Sequence, residues 1–88
     1  MYHAIIADDE GNALDELLYV IDWQKENVAI DGTASDGEEA VKLIEKFRPD
    51  FILCDINMPK KSGIDVLRFL KEGGYTSLFI AVSAYSDF

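Results

Sequence analysis

Four short apolar runs alternate with three segments in which apolar residues recur at helical spacing. This alternation limits the possible folds more than any other feature. The runs cover residues 4–7, 28–34, 51–54 and 78–82. Short apolar runs are typical of strands, and a period of about 3.6 residues is typical of amphipathic helices. Because strands that alternate with helices pair in parallel through right-handed crossovers, the sequence predicts an α/β domain of the order β-α-β-α-β-α-β.

Capping and turn residues mark the limits of the predicted helices. The first helix carries a periodic apolar set, namely Leu14, Leu17, Leu18 and Ile21. Asp36 followed by Glu39 forms a capping-box pattern at the start of the second helix, and Pro49 ends that helix. Its expected buried stripe consists of Ala40, Val41, Ile44 and Phe47. Ser62 is the predicted cap of the third helix, which residues 73–74, both glycine, should end.

The polarity of the runs predicts their order in the sheet. The first, third and fourth runs are apolar on both faces, which is typical of strands covered by helices on each side. The second run is interrupted by Asp31, Gly32 and Thr33, so we expect it at an edge. We therefore predict an open, doubly wound parallel sheet with the strand order 2-1-3-4.

The charge balance excludes several classes of partner. Seventeen acidic residues against eight basic ones give a net charge of −9, which disfavours binding to nucleic acid or to an anionic membrane by this segment. No apolar run approaches the roughly 20 residues of a membrane helix, and residues 1–4 lack the features of a signal peptide. The single cysteine, Cys54, excludes an internal disulfide. We expect a cytoplasmic protein.

Polar residues follow three of the four runs. Asp8 and Asp9 come after the first run, Asp55 after the third and Ser83 after the fourth. In open α/β sheets, ligands bind beyond the carboxyl ends of the strands, where the strand order reverses. Three carboxylates that converge there would repel one another, and a divalent cation with a preference for oxygen ligands, such as Mg²⁺, would relieve that repulsion. The alternative is that the acidic run simply caps the first helix and solvates a loop.

Three motifs together resemble the receiver domain of two-component response regulators. They are Ala7-Asp8-Asp9-Glu10, then Cys54-Asp55-Ile56-Asn57-Met58-Pro59 followed by Gly63, and finally Val82-Ser83-Ala84. Each motif alone is weak, but their order and their position at three strand ends make the combination specific. The resemblance implies a flavodoxin-like receiver fold and a signalling module that is not a turnover enzyme.

The resemblance also implies roles for individual residues. Asp55 matches the phosphoacceptor, which takes a phosphoryl group from a sensor histidine kinase. Asp9 matches the direct Mg²⁺ ligand, Asp8 a carboxylate that holds the ion mainly through water, and Asn57 the position whose backbone carbonyl completes the protein ligands. The remaining matches are the phosphoryl-binding hydroxyl, a small residue beside it and two loop-shaping positions, namely Ser83, Ala84, Pro59 and Gly63.

Two segments are similar to receivers joined to AraC-type DNA-binding domains. They are residues 21–23 and 83–88, which read Ile-Asp-Trp and Ser-Ala-Tyr-Ser-Asp-Phe. This similarity implies a transcriptional output domain outside the 88 residues. The alternative is that Trp23 is an ordinary core anchor.

The receiver fold continues with a fourth helix, a fifth strand that carries a phosphate-contacting lysine, and a fifth helix. Residues 1–88 are therefore expected to be a partial receiver domain without those three elements. The fourth strand, residues 78–82, would then have a free apolar edge, and such edges tend to pair with another chain. We expect the 88-residue chain to form homo-oligomers through this edge or nearby apolar surface. Without the lysine, phosphorylation should be weakened or short-lived.

Other interpretations are open. A pseudo-receiver that acts by dimerisation alone would not need phosphorylation. An aspartyl-phosphate phosphatase would also use acidic residues with Mg²⁺, although such enzymes carry Asp-x-Asp on their first strand. Lys60 and Lys61 are interpreted as a solvated loop face, with attraction of an anionic phosphodonor or docking of the kinase as the alternatives.

Overall fold

The computed structural model describes residues 1–82, and these form one four-stranded parallel sheet with three helices. The strands are β1 (Tyr2–Ala7), β2 (Val28–Ala34), β3 (Phe51–Asp55) and β4 (Leu78–Val82). The helices are α1 (Gly11–Val20), α2 (Gly37–Phe47) and α3 (Gly63–Glu72). The strand order is β2-β1-β3-β4, which confirms the predicted topology.

The register of the two central strands aligns their carboxyl ends. Ala7 pairs with Cys54, so that Asp8 and Asp55 follow at the same edge of the sheet. Between β1 and β2 the register shifts after Ala4, and Ala7 pairs with Ala34 beyond that irregularity. The backbone therefore delivers the acidic residues after β1 and at the end of β3 to one place.

The helices are divided unequally between the two faces of the sheet. Right-handed crossovers place α1 on one face, because β2 lies to one side of β1, and place α2 and α3 on the other, because β3 and β4 follow in the opposite direction. The main core lies between the sheet and the α2/α3 pair. Its members are Ile5, Ala7, Ala34, Ala40, Ile44, Ile52, Cys54, Met58, Val66 and Leu70.

Capping explains where α2 and α3 begin and end. The Asp36 side chain accepts a hydrogen bond from the Glu39 amide, as predicted. The Glu39 carboxylate accepts from the amide and hydroxyl of Ser35, one residue before the cap. Arg48, with a φ of 46°, takes the left-handed conformation that ends α2 immediately before Pro49. Ser62 and Asp65 form a complete capping box at the start of α3.

Three details differ from the sequence-based predictions. The first strand begins at Tyr2 instead of residue 4. The Tyr2 ring packs on the Phe51 ring, and their centroids are 5.4 Å apart. Helix α1 ends at Val20, so Ile21 is its C-cap and not part of the helix. The Phe47 side chain is 38% exposed and does not belong to the buried stripe, because it lies at the end of α2, where its ring contacts the ammonium of Lys46. Within residues 1–82, no helix is long and apolar enough to span a bilayer.

Candidate metal centre

Three carboxylates converge at the carboxyl edge of the sheet. One oxygen from each of Asp8, Asp9 and Asp55 lies within 4.8 Å of the other two. The neighbouring positions of β1 and β3 bring these side chains together, since Asp8 and Asp9 directly follow β1 and Asp55 is the last residue of β3. The predicted convergence of these three carboxylates is therefore present in the structure.

Asp8 is the most constrained of the three residues. It is 2% exposed, its amide donates to the carbonyl of Ala34, and its carboxylate accepts a hydrogen bond of 2.9 Å from the amide of Glu10. Burial raises the pKa of Asp8 above its ordinary value, and the negative charges of Asp55 and Asp9 add to this effect against the Glu10 hydrogen bond. The site therefore contains more negative charge than its own hydrogen bonds compensate.

Asp9, in contrast, is exposed. An exposed carboxylate beside a buried one leaves the site open to solvent on one side, so that an ion and a second anionic group could enter together. This arrangement does not fit the alternative in which the acidic run caps α1. Glu10 occupies the N-cap position of that helix, and its side chain makes no capping hydrogen bond.

The donor set fits a hard divalent cation. All three side chains offer oxygen, the ligand type that Mg²⁺ takes in proteins, and a Mg²⁺ site needs only one or two carboxylates besides water. Burial raises the pKa of Asp8 most, and the repulsion from Asp55 and Asp9 that adds to this rise is the kind of conflict that a cation relieves. Asp8, Asp9 and Asp55 could hold such an ion directly or through water.

A seven-residue segment, residues 56–62, links Asp55 to α3. Because Asp55 is the predicted phosphoacceptor, we name this segment the phosphoacceptor loop. Near its start, the Asn57 amide donates to the Asp55 carboxylate at 3.2 Å. At its end, the Gly63 amide donates to the carbonyl of Ile56 at 2.8 Å. A Cβ at Gly63 would lie 2.5 Å from the carbonyl oxygen of Asp55, so this position requires glycine.

The loop is also anchored from inside. Met58 is 9% exposed and belongs to the main core, whereas Pro59 beside it is exposed. The structure therefore places Asn57 between Asp55 and a buried anchor, Met58. Both predicted loop-shaping residues, Pro59 and Gly63, lie in or directly after this loop.

Cys54 lies directly before Asp55 and is fully buried. Burial raises the pKa of its thiol to about 12, and the negative charges of Asp55 and Asp8 contribute to that shift. Since the thiolate is the reactive form, this cysteine is inert near neutral pH. It acts as a small apolar side chain in the core.

The predicted phosphoryl-binding residues, Ser83 and Ala84, lie outside the described residues. One contact of the site, between the phosphoacceptor loop and the start of α2, was not predicted. Lys60 is largely solvated, as expected, but its ammonium lies 3.5 Å from the Asp36 carboxylate. A signal for this contact was available, since Gly37 directly follows the helix cap, where a good helix former would otherwise be favoured.

Comparison with known proteins gives a consistent result. The family described as "Response regulator receiver domain" matches residues 4–88. The whole chain is 35% identical to an uncharacterized response regulatory protein of Staphylococcus epidermidis and 34% identical to the transcriptional regulatory protein HptR of Staphylococcus aureus. It spans about a third of the length of these curated relatives, 34% in each case.

Solved structures share the same fold. The receiver domain of AraT, a response regulator from Geobacillus stearothermophilus, has a TM-score of 0.88 at 29% identity, over 93% of this chain and 64% of that one. A two-component transcriptional regulator AraC from Clostridium phytofermentans has a TM-score of 0.86 at 29% identity, over 99% and 67%. The CheX-CheY-BeF3-Mg²⁺ complex from Borrelia burgdorferi has a TM-score of 0.83 at 31% identity, over 96% and 63%.

Proposed function

The chain belongs to the response regulator receiver domain family, and on that premise we propose that Asp55 accepts a phosphoryl group from a sensor histidine kinase in a Mg²⁺-dependent reaction. The observation that carries this proposal is the meeting of Asp8, Asp9 and Asp55 oxygens within 4.8 Å at the switch in strand order. Family membership makes the domain a component of two-component signalling, and receiver domains are generally signalling modules, not enzymes.

In the proposed transfer, a carboxylate oxygen of Asp55 attacks the phosphorus of a phosphohistidine. A P–O bond forms as an acyl phosphate, the P–N bond breaks, and the released imidazole nitrogen takes up a proton from solvent. A bound Mg²⁺ would supply charge neutralisation between the carboxylate and phosphoryl oxygens. The Asp55 carboxylate is oriented for this step by the hydrogen bond that it accepts from the Asn57 amide.

The metal ligands are proposed on the same basis. Asp9 is exposed and can reach an ion directly, whereas Asp8 is buried and engaged by the Glu10 amide, which suits a role through water. We assign the third protein ligand besides Asp9 and Asp55 to the backbone carbonyl of Asn57. The Mg²⁺ and BeF3 of the Borrelia complex belong to that complex, and they support the proposal only through the shared fold.

Ser83 and Ala84 complete the proposed site from beyond the described residues. Val82, the last described residue, pairs with Asp55 across β3 and β4, so β4 ends beside the proposed phosphoacceptor. We propose that the Ser83 hydroxyl binds a phosphoryl oxygen and that Ala84 leaves room for the phosphodonor.

The proposed output is transcriptional. HptR is named a transcriptional regulatory protein, and the Clostridium structure is named a two-component transcriptional regulator AraC. We propose that residues 1–88 are the first part of a cytoplasmic receiver domain and that phosphorylation switches a linked output domain of the AraC type. The coverage of only 64% of the AraT chain supports a receiver that is longer than 88 residues. The acidic charge supports the proposal that this segment does not itself bind nucleic acid or membrane.

Phosphoryl uptake can be followed by intact mass of the 88-residue chain treated with acetyl phosphate. We expect a Mg²⁺-dependent gain of one phosphoryl group by wild type and none by Asp55→Asn, which keeps the size of the side chain but removes the nucleophilic carboxylate. Chelation of Mg²⁺ should abolish the gain. A chain that binds Mg²⁺ and never gains the group would instead favour a dimerisation module.

The free edge of β4 supports a second proposal, that the 88-residue chain associates with a second copy of itself. Within residues 1–82, β4 pairs only with β3, and its Leu78 and Ile80 side chains are 56% and 40% exposed. Apolar edge strands of this kind pair with other chains. Light scattering should show dimers or larger species that Ile80→Lys reduces towards monomer. A monomeric wild type at high concentration would contradict this proposal.

A further inference from the structure

The phosphoacceptor loop packs directly against the first turn of α2. Gly37, the first residue of that helix, is buried, and a Cβ placed on it would overlap the carbonyl oxygen of Lys61 and lie 2.5 Å from the carbonyl carbon. The atoms nearest to that Cβ are the backbone and the Cβ of Lys61, which cannot rotate away. The loop and the helix therefore approach each other as closely as a glycine allows.

A polar contact lies beside this steric one. The Lys60 ammonium lies 3.5 Å from an oxygen of Asp36 and 3.8 Å from an oxygen of Glu38. Asp36 uses its other oxygen to cap α2 through the Glu39 amide. Lys60 itself has a φ of 63°, a backbone conformation that costs energy for a residue with a side chain. Its position is thus defined from two sides, by the loop backbone and by the acidic first turn of α2.

The same loop carries Asn57 and begins directly after Asp55. Its near end is fixed by two hydrogen bonds, from the Asn57 amide to the Asp55 carboxylate and from the Gly63 amide to the Ile56 carbonyl. Its far end, residues 60–61, is the part that rests on α2. A displacement of that far end would be shared between residues 57–59, which lead back to Asp55, and Ser62, which leads to α3.

We propose that Gly37 is a positioning residue for the cation site. Its close contact with Lys61 fixes the position of the phosphoacceptor loop relative to α2, and thereby the position of the Asn57 backbone. This inference rests on the proposed function. It assigns to β2 and α2, which contribute no ligand, the role of aligning a ligand-bearing loop. The ion pair of Lys60 contributes less to the position of the loop than the contact between Gly37 and Lys61. The Lys60 side chain is 62% exposed, and ion pairs of exposed side chains are weak.

The chain offers a matched control for the test. Gly11 is also the first residue of a helix at the same edge of the sheet, but a Cβ there would meet no atom of residues 1–82 within 4 Å. Gly37→Ala and Gly11→Ala are thus the same substitution at the same helix position, and only one of them displaces the loop. Ile44→Val provides a second control, because it reduces packing of α2 in the core about two turns along the helix from Gly37.

The experiment is a Mg²⁺ titration of each folded variant, followed by amide NMR. We expect Gly37→Ala to weaken Mg²⁺ affinity about tenfold, as loss of supporting residues of metal sites commonly does. Gly11→Ala should stay within about twofold of wild type, as surface substitutions do. Ile44→Val should lower the melting temperature and leave the affinity unchanged, which separates positioning from a general loss of stability.

The possible results separate the two proposals. If wild type binds Mg²⁺ and Gly37→Ala binds it equally well, the positioning role is wrong and the proposed function stands. If wild type does not bind Mg²⁺, the proposed function fails first. If Gly37→Ala does not fold, the wild-type titration decides: the Gly37 amide signal should shift together with that of Asn57, and an unmoved Gly37 signal would overturn the inference.

Discussion

The helices on the two faces of the sheet differ in how deeply they are buried and how well they are capped. On one face, α2 and α3 each bury three residues, both helices have side-chain caps, and their contacts form the main core. On the other face, α1 buries no residue, its N-cap side chain makes no hydrogen bond, and no acidic residue lies in its first turn. Tyr19 and Val20 near its end are 91% and 74% exposed. The three helical segments show similar apolar periodicity in the sequence, yet α2 and α3 bury residues against the sheet and α1 does not.

The difference teaches where the stability of residues 1–82 resides. The proposed cation site lies between the two faces, since Asp8 and Asp9 lead into α1 and Asp55 leads through the loop to α3. One half of the site is therefore held by a packed helix pair and the other by a weakly anchored helix. Three predictions test this contrast.

The largest effect is expected from a cavity in the α2/α3 face. Ile44 is fully buried, so Ile44→Ala should lower the free energy of unfolding by about 3 kcal/mol through lost burial and the cavity left behind. Leu18→Ala on α1, where the side chain is 37% exposed, should cost less than about 1 kcal/mol. Urea denaturation followed by circular dichroism measures both. Equal losses would show that the two faces contribute alike.

A smaller effect is expected from the helix caps. Ser62→Ala removes the capping box of α3 and should cost about 1 kcal/mol. Glu10→Ala at the corresponding position of α1 removes no capping bond, and its effect should lie within about 0.5 kcal/mol. Thermal unfolding of the two variants provides the comparison. A larger loss for the α1 variant would mean that Glu10 stabilises the helix in a way that the structure does not show.

The smallest effect is expected from acid. A hydrogen bond from the Glu39 amide lowers the pKa of Asp36 below 3.8, the Ser35 hydroxyl lowers the pKa of Glu39 below 4.5, and the Ser62 amide lowers the pKa of Asp65 below 3.8. Carboxylates with lowered pKa values stabilise the fold above their unfolded values, and this contribution is lost as the pH falls through the folded ones. Acid should therefore loosen α2 and α3 at their capped ends.

Asp36→Asn checks the sign of this effect. Asparagine is also a good cap but does not titrate, so the variant should lose less stability than wild type between about pH 6 and pH 3. Melting temperatures at the two pH values measure the loss. An identical loss in both proteins would exclude Asp36 as a source of the acid sensitivity.

Much of the fold was predictable because the polarity of each strand can be read locally, and the rule for right-handed crossovers converts the alternation of strands and helices into a topology. The polar interruptions at residues 31–33 correctly placed β2 at an edge, and the apolar runs of β1 and β3 correctly placed them at the centre. The depth of helix packing was not predictable in the same way. It depends on how many elements cover each face, so a periodic stripe with Leu14 and Leu17 could not show that α1 buries none of its residues.

The candidate site also has one part that was predictable from the sequence and one part that was not. The convergence of Asp8, Asp9 and Asp55 follows from strand order alone, and the structure places them together as predicted. The glycine after the helix cap signals a close approach at Gly37, but not that residues 60–61 make the contact, because that depends on how α2 and the loop pack in three dimensions. The roles of Ser83 and Ala84 stay predictions, since both residues lie outside the described part of the chain.

The most direct test of the cation site is the unfolding midpoint of the chain with and without millimolar Mg²⁺ at constant ionic strength. An ion that binds only the folded state raises the midpoint by mass action. We predict a rise for wild type and for Asp15→Asn, an exposed acid outside the site, and almost none for Asp9→Asn. Without Mg²⁺, Asp55→Asn should itself stabilise the fold, because it removes repulsion with Asp8. Equal Mg²⁺ effects in all variants would contradict a cation site at Asp8, Asp9 and Asp55.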